Sequence, residues 1–519
     1  MTRPEMLARL RGRTTPWDML IIGGGATGMG MAVDAASRGY DVLLLEQSDF
    51  GKGTSSRSTK LVHGGVRYLE QGNISLVMEA LRERGILRRN APHLVRDLAF
   101  VVPNYDWWEP AFYGLGLKVY NVLAGKYNFG ASRVLSREET LERLPTIRTD
   151  RLRGGVVYYD GQFDDARLLI SLAQTAAEQG ATLLNYVQVT SLFKDDEGFV
   201  AGAHARDMES GEALRAGAKV VINATGPFCD SVRRLAEPDT TPLIAPSQGI
   251  HLVFDRSFLP GDSAIMVPHT SDGRVMFAIP WHGHTLVGTT DTPITDLSLE
   301  PRPMAEEIEF ILATADRYLH KPPSRDDILS VFVGIRPLVR SGDAKSTAAL
   351  SRDHTIHIDR SGLFTITGGK WTTYRNMAED GVNQAATLAR LPDKACVTAH
   401  LNVHGFHEQA AKFGPLAVYG SDASDILDVA QGDGLSEPLD PALPGIIGAQ
   451  AVWAVRNEMA RTVEDFLARR TRALFLNARA AIRMAPAAAR LMARELDRDE
   501  RWQREQVEQF TELARHYLV

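Results

Sequence analysis

The chain has 519 residues, 44% of them hydrophobic and 24% charged, with a formal net charge of -6. That balance fits a soluble globular protein of two or three domains with a sizeable core, and argues against a general nucleic-acid binder. Two cysteines, Cys229 and Cys396, with no CxxC and no Cys/His cluster, argue against a disulfide framework or a metal site and suit a reducing cytoplasm.

The N-terminus, MTRPEMLARLRGRTTPWD, carries four arginines but no apolar core of a signal peptide, and reads as a frayed tail in preference to a short amphipathic helix. Nowhere do about 20 apolar residues follow one another, so no membrane-spanning helix is expected.

Residues 18–46 read DMLIIGGGATGMGMAVDAASRGYDVLLLE. Met19 to Ile22 form a buried parallel strand that runs into Gly23-x-Gly25-x-x-Gly28, then a helix stopped by Gly39, then a second apolar run ending in Glu46. Gly23 permits the tight turn, Gly25 lets a pyrophosphate approach bare backbone, and Gly28 lets the helix pack against the strand. Ala26 and Thr27 begin that helix, whose N–H groups face the phosphates. Glu46 is placed to accept hydrogen bonds from ribose hydroxyls. Strand, glycines, helix, strand and acid in this order indicate a dinucleotide, FAD or NAD.

Phe50 to Glu70 (FGKGTSSRSTKLVHGGVRYLE) interleaves hydroxyls with Arg57, Lys60, His63 and Arg67 just after the second strand, near where a pyrophosphate and reactive ring would lie. Leu76 to Asn90 reads as a surface helix. Phe100 to Gly130 is the most aromatic stretch; its dense part, Trp107 to Tyr120 beside Lys118, is too short to cross a bilayer. It suits either an apolar core or an element dipping into a membrane interface.

Asp164 and Asp165 open a helix that Gly180 ends, and Ala181 to Tyr186 reads as a third parallel strand. A β-meander over 187–219 follows, then a buried strand, Val220 to Asn223, entering a turn at Gly226. The runs GIHLVF, AIMVP, RVMFAIPW, HTLVGTTDTP and LSVFVGIRPLVR predict a separate antiparallel sheet. Leu363 to Ile366 enters a second glycine turn, Gly368-Gly369. The chain is helical beyond about residue 390. Asp422 to Asp440 holds six acids, and Arg456 to Arg494 holds nine arginines against three acids. Solvated helix faces account for this switch, although the arginines could also assist at an anionic membrane.

Five blocks, GGGATGMGMAVDAASRGYDVLLLE, SSRSTKLVHGGVRYLE, VINATGPFCD, VGIRPLVR and TGGKWTTYR, resemble the FAD-dependent glycerol-3-phosphate dehydrogenase family, in order over about residues 18–380. The resemblance implies an α/β fold. Its discontinuous, Rossmann-like FAD domain of the D-amino-acid-oxidase class would comprise 17–90, 155–240 and 350–390. An antiparallel β-rich substrate domain (91–154 and 241–349) and a C-terminal α-helical cap (391–519) would complete it. It implies noncovalent FAD held by Gly23, Gly25, Gly28 and Glu46, with Ser55, Ser56, His63 and Gly64 by its pyrophosphate or ring and Gly368 and Gly369 beyond the flavin. Arg67, Arg336, Lys370 and Thr372 fall in blocks that suit substrate. The implied activity is oxidation of sn-glycerol 3-phosphate to dihydroxyacetone phosphate. Electrons would pass to a ubiquinone-type acceptor at the inner face of a membrane to which a cytoplasmic enzyme, possibly a homodimer, is peripherally attached. Related oxidases use oxygen.

The chemistry is consistent with that assignment. A phosphate dianion in a partly desolvated pocket needs several cations, preferably an arginine fork. Arg336, in the apolar run VFVGIRPLV, requires an anionic partner, either substrate or a structural Asp or Glu. Lys370 follows the glycine turn, facing flavin or phosphate. Loss of the alcohol proton calls for a base, and neutral imidazole at His63 or His251 is the candidate. An amino-acid-oxidising flavoenzyme would need one arginine and no further cations. A flavin-binding scaffold without turnover would show degraded substrate blocks.

Overall fold

The computed structural model describes all residues except 66–73, 107–119, 121–122, 124, 128, 269, 271–273 and 341–353. Two sheets organise the described chain. The opening strand Trp17–Ile22 lies at the heart of the first, parallel to Ala213–Asn223 on one side and Val42–Leu45 on the other. Thr182–Leu184 extends the sheet beyond Val42–Leu45, and Phe364–Gly368 extends it beyond Ala213–Asn223. His354–Ile358 closes that end antiparallel. The meander expected over 187–219 forms from Val187–Lys194, Val200–Asp207 and the first half of Ala213–Asn223. The central strands have polar residues on neither face, as sheets covered on both sides require: Met19 to Ile21 and Val42 to Leu44 are fully buried.

The second sheet has ten strands. Its order is Thr292–Pro293, Ser247–Asp255, His284–Gly288, Met276–Trp281, Ser263–Val267, Val95–Asn104, Gly154–Phe163 and Leu61–Val62. Ser330–Arg336 pairs with Ser247–Asp255, and Arg133–Leu135 with Gly154–Phe163. The sheet is antiparallel as expected, save that Ser263–Val267 runs parallel to Val95–Asn104. Leu61–Val62 belongs to the loop that follows the glycine fingerprint, so this short strand carries that loop into the second sheet and fixes His63 between the two.

Two expectations change. The N-terminus is a helix, Arg3–Gly12, because Met6, Leu7 and Leu10 share one face and bury it. Arg3 is buried with it, donating to Asn185 O at 3.2 Å and pairing with Asp207 at 2.8 Å. The helix Ile74–Asn90 is not a surface helix: Val77, Leu81, Ile86 and Leu87 are buried, and Arg84 and Glu83 pair inside with Asp160 (2.6 Å) and Arg375 (2.7 Å). Of the aromatic stretch, Trp107, Trp108, Phe112, Tyr113, Leu115, Leu117, Lys118 and Val119 lie outside the described residues. Tyr120 is core, its hydroxyl donating to Asp160 Oδ2 at 2.9 Å.

The C-terminal helices Gly448–Asn457, Ala478–Leu496 and Glu500–Arg515 bury an alanine- and methionine-rich face against Trp281, Phe332 and Phe475. Tyr517 O accepts from Val331 N at 2.9 Å, tying the chain's end to the substrate sheet. The basic stretch divides: Arg469, Arg470 and Arg472 are buried in ion pairs, whereas Arg479, Arg483, Arg490 and Arg494 are exposed on the helix Ala478–Leu496, as a solvated face would be. Arg456, Arg461, Arg469, Arg470, Arg472 and Arg483 pair with Glu495, Glu209, Asp49, Asp49, Asp164 and Asp440. Among the described residues no helix is long and apolar enough to cross a membrane.

Candidate active site

A cavity of about 580 Å³ runs from the glycine fingerprint to the substrate sheet. At its first end Gly23 has φ +109°, and a Cβ there would sit 2.7 Å from Ala224 O. A Cβ on Gly28 would lie 2.0 Å from Gly23 O, so both positions demand glycine. Gly25 and Gly226 face open space instead: a Cβ on Gly25 would meet only Ser55 Oγ, at 3.2 Å, and one on Gly226 nothing within 4 Å. Bare backbone facing a roomy cleft at a helix N-terminus is the surface a pyrophosphate fits.

The helix Ala26–Ser37 does not leave all its first N–H groups to a phosphate, because Ala26 N donates to Ser55 Oγ at 2.9 Å. Ser55 O in turn accepts from Trp371 Nε1 at 2.9 Å, which clamps the fingerprint loop to the second glycine turn. Glu46 lines the cavity and accepts from Gly24 N (2.7 Å) and Ser48 N (2.9 Å). Burial raises its pKa against the pull of those two N–H groups. A carboxylate has about four acceptor sites, so the ribose role stays compatible with both bonds.

At the other end Arg336, Lys370, His63, His251 and Thr59 line the same cavity, together with Thr372, Gly368 and Gly369. Arg336 has the structural partner that its apolar run required: Asp291 Oδ1 at 3.1 Å, besides Thr290 O at 2.9 Å and Thr289 Oγ1 at 3.2 Å. It also lines the cavity. Thr372 Oγ1 accepts from His63 N at 3.2 Å and so positions that histidine's backbone. His251 Nε2 is 2.9 Å from Thr59 Oγ1, and its ring stacks on Phe332 at 4.9 Å. Burial, then Lys60 and Arg336, hold its pKa well below the ordinary imidazole value.

Three expected cofactor residues, Gly28, Ser56 and Gly64, do not line the cavity; Gly28 packs against Gly23 O instead. Ser56 is buried beneath the loop, where its carbonyl accepts from Lys60 Nζ at 2.8 Å. Gly64 is enclosed behind His63, its N–H donating to Tyr120 Oη at 2.9 Å; a Cβ there would overlap that hydroxyl at 2.3 Å. Arg67 lies outside the described residues. Sequence reasoning missed Thr59, Asp291 and the clamp from Ser55 to Trp371. Asp291 stands in the quoted strand run HTLVGTTDTP, but nothing local says that it reaches an arginine 45 residues away.

A second layer of charge braces the loop after Glu46. Asp49 is buried between Arg469 and Arg470, whose attraction outweighs the rise that burial alone would give its carboxyl. Lys52 pairs with Glu464 at 2.8 Å and Arg57 with Glu300 at 2.8 Å, and Tyr517 Oη donates to that same Glu300 oxygen at 3.2 Å. The C-terminal helices thus grip the loop that walls the cavity.

Residues 18–375 match the FAD dependent oxidoreductase family, and residues 364–504 match the C-terminal domain of alpha-glycerophosphate oxidase. The chain is 41% identical to the mitochondrial glycerol-3-phosphate dehydrogenase of Arabidopsis thaliana, over 97% of this chain and 86% of that protein. Identity to the mitochondrial enzyme of Bos taurus is also 41%, over 97% and 73%. The glycerol-3-phosphate dehydrogenase of Bacillus halodurans, solved with FAD, superposes with a TM-score of 0.81 at 32% identity, covering 100% of this chain and 98% of that one. The L-alpha-glycerophosphate oxidase of Mycoplasma pneumoniae, at TM-score 0.57 and 18% identity over 74% of this chain and 97% of that one, shares the fold. With the bare-backbone cleft at Gly25 and Gly226 shaped for its pyrophosphate, FAD is the cofactor, and the chain belongs to the FAD-dependent glycerol-3-phosphate dehydrogenase family.

Proposed function

We propose that the protein oxidises sn-glycerol 3-phosphate to dihydroxyacetone phosphate and delivers the electrons to a ubiquinone-type acceptor. The observation that carries this reading is the single cavity, which joins the FAD cradle at one end to Arg336, Lys370 and two histidines at the other. The names of relatives 41% identical over nearly the whole chain support the same substrate. When bound, FAD takes up a hydride from the carbinol carbon.

The chain's own residues do the rest. Arg336, oriented by Asp291 and the Thr289–Thr290 backbone, and Lys370, at the glycine turn, supply the cationic wall for a phosphate dianion. Arg67 would add a third cation. His63 and His251, which line the same cavity, are the candidates for taking the alcohol proton. Two cations besides Arg67 exceed what a carboxylate alone needs, which disfavours an amino acid as substrate.

Quinone delivery would bring the enzyme to the inner face of a membrane as a cytoplasmic, peripherally attached protein, either monomeric or as a homodimer. The sequence run Trp107 to Tyr120 supports contact with lipid, although Tyr120 itself is core. Anaerobic mixing of the yellow holoenzyme with glycerol 3-phosphate tests the reaction, and bleaching of the flavin is expected. Reoxidation by a quinone analogue much faster than by air supports the quinone, whereas rapid reoxidation by air would assign an oxidase. Absence of bleaching rejects the substrate.

A further inference from the structure

The reading above leaves one buried cation without a task. Lys60 lies in the fingerprint loop, yet its side chain is wholly enclosed and does not line the cavity. Its ammonium donates to both oxygens of Asp165 at 2.8 Å and to Ser56 O at 2.8 Å. It also stands 5.0 Å from the ring centres of Trp281 and Phe332 and 5.4 Å from that of Phe475. An enclosed ion pair is rarely a gain in stability, since apolar residues of similar volume often do as well or better. Stability alone therefore gives no reason for a lysine at this position.

Its neighbours supply one. Thr59, adjacent in sequence, lines the cavity and holds His251 Nε2 at 2.9 Å. Lys60 has φ +64°, a left-handed backbone unusual for a side-chain-bearing residue, and its anchored ammonium fixes the turn that presents Thr59. Phe332, beside the Lys60 ammonium, is also the ring on which His251 stacks. His251 Nδ1 is buried with no hydrogen-bond partner, so the nitrogen available to the cavity side is Nε2.

The groups packed on His251 from the other elements are uncharged: Thr59 on the loop, Phe332 on the strand Ser330–Arg336 and Gly288 on the strand His284–Gly288. The charges that act on it are Lys60 and Arg336, both cationic. An imidazolium would thus face two like charges.

We propose that Lys60, locked by Asp165, is a positioning residue that aims Thr59 at His251 and keeps His251 a neutral imidazole, ready to accept the hydrogen bond of a substrate hydroxyl. The proposal rests on the alcohol oxidation inferred above only for its consequence in catalysis; the protonation state is a property of the protein alone.

The experiment is a pH titration of holoenzyme carrying 15N-labelled histidine, with the His251 resonance assigned from His251→Asn. Wild-type His251 is expected to stay neutral from pH 9 down to pH 5.5. In Lys60→Met, which keeps length and loses charge, its midpoint should rise above the wild-type value. The pH profile of anaerobic flavin reduction by glycerol 3-phosphate should gain an acidic limb at the same midpoint. If Lys60→Met alone does not fold, Lys60→Met/Asp165→Asn removes both charges and is read in the same way. Wild-type His251 titrating near its ordinary value overturns the proposal without any variant, as does a folded variant whose His251 midpoint is no higher than that of wild type. Failure of glycerol 3-phosphate to bleach the wild-type flavin would strike the functional reading, while the titration, which uses no substrate, would still decide this one.

Discussion

Arg336 Nη1 lies 3.1 Å from Asp291 Oδ1, so the guanidinium that faces the cavity is already oriented before any anion arrives. Ser247–Asp255 sits between the strand that bears Arg336 and the Thr292–Pro293 segment next to Asp291, and its Gln248 O also accepts from the arginine, at 3.3 Å. The fork is therefore set by sheet register. Binding a dianion costs little further side-chain ordering, at the expense of some of the arginine's charge.

Arg336→Lys keeps the charge and loses the planar fork. Losing charge-assisted bonds of about 1.5–3 kcal/mol each should lower kcat/KM for glycerol 3-phosphate by roughly 10- to 100-fold, chiefly through KM. Steady-state kinetics with a dye acceptor, on protein with full flavin content, checks this. Unchanged constants would remove Arg336 from the substrate site.

Gly25→Val places a branched side chain in the cleft opposite Ser55, where the pyrophosphate approaches. The purified variant should be folded by circular dichroism but largely colourless, its ratio of flavin to protein absorbance well below that of wild type. A fully yellow variant would mean that the cofactor does not pass over Gly25.

How much of this could be read from the sequence follows from how local each feature is. The fingerprint strand, its glycines and Glu46 are contiguous, and the turn chemistry names each residue's task, so they fell where expected. Arg336 announced itself by being a charge in an apolar run. Ser56 and Gly64 share the composition of their cavity-lining neighbours Ser55 and His63; only the course of the loop decides which faces in. The Asp49 pairing with Arg469 and Arg470 spans over 400 residues, and no pattern in either segment points to the other. In the arginine-rich stretch the exposed face of the helix Ala478–Leu496 was legible, but the buried Arg469, Arg470 and Arg472 were not, because their acidic partners are scattered through the chain.

His404 gives a stability signature. It sits between Asp422 Oδ2 at 2.8 Å and Glu178, linking the end of the helix Asp165–Glu178 to the C-terminal region. Burial lowers its pKa, but the hydrogen bonds to Asp422 and Glu178 outweigh that and raise it to about 9. A folded-state pKa above the unfolded value of about 6.5 means that the stabilisation is complete below pH 6.5 and is lost as pH rises through 9. Since Glu178 is half exposed and screened, the full effect is on the order of 2 kcal/mol. Thermal unfolding of wild type should weaken between pH 6.5 and 9.5, and His404→Gln should flatten that slope while lowering Tm at pH 6.5. Parallel slopes would show that His404 is not charged in the folded protein.

The two histidines in the cavity can be separated by rate. His63 follows the short strand Leu61–Val62 and has its backbone held by Thr372, whereas His251 stands in the substrate sheet, lines the cavity and is hydrogen-bonded to Thr59. A base that takes the alcohol proton as the carbinol hydrogen leaves contributes about 10²–10⁴-fold. His63→Asn and His251→Asn each remove the basic imidazole at nearly constant volume. Single-turnover flavin reduction under anaerobic conditions isolates that step from acceptor binding and product release. The variant lacking the base should lose two orders of magnitude or more in reduction rate with flavin content intact. The other should show a smaller loss, felt mainly in the substrate concentration needed for half-maximal reduction. A deuterium label on the carbinol carbon sharpens the distinction. With the base removed, chemistry limits reduction and the full isotope effect is expressed, whereas a variant that only weakens binding keeps the wild-type effect at saturating substrate. Near-normal rates in both would clear the two histidines and leave Lys370, beside them at the same end of the cavity, as the group to replace next.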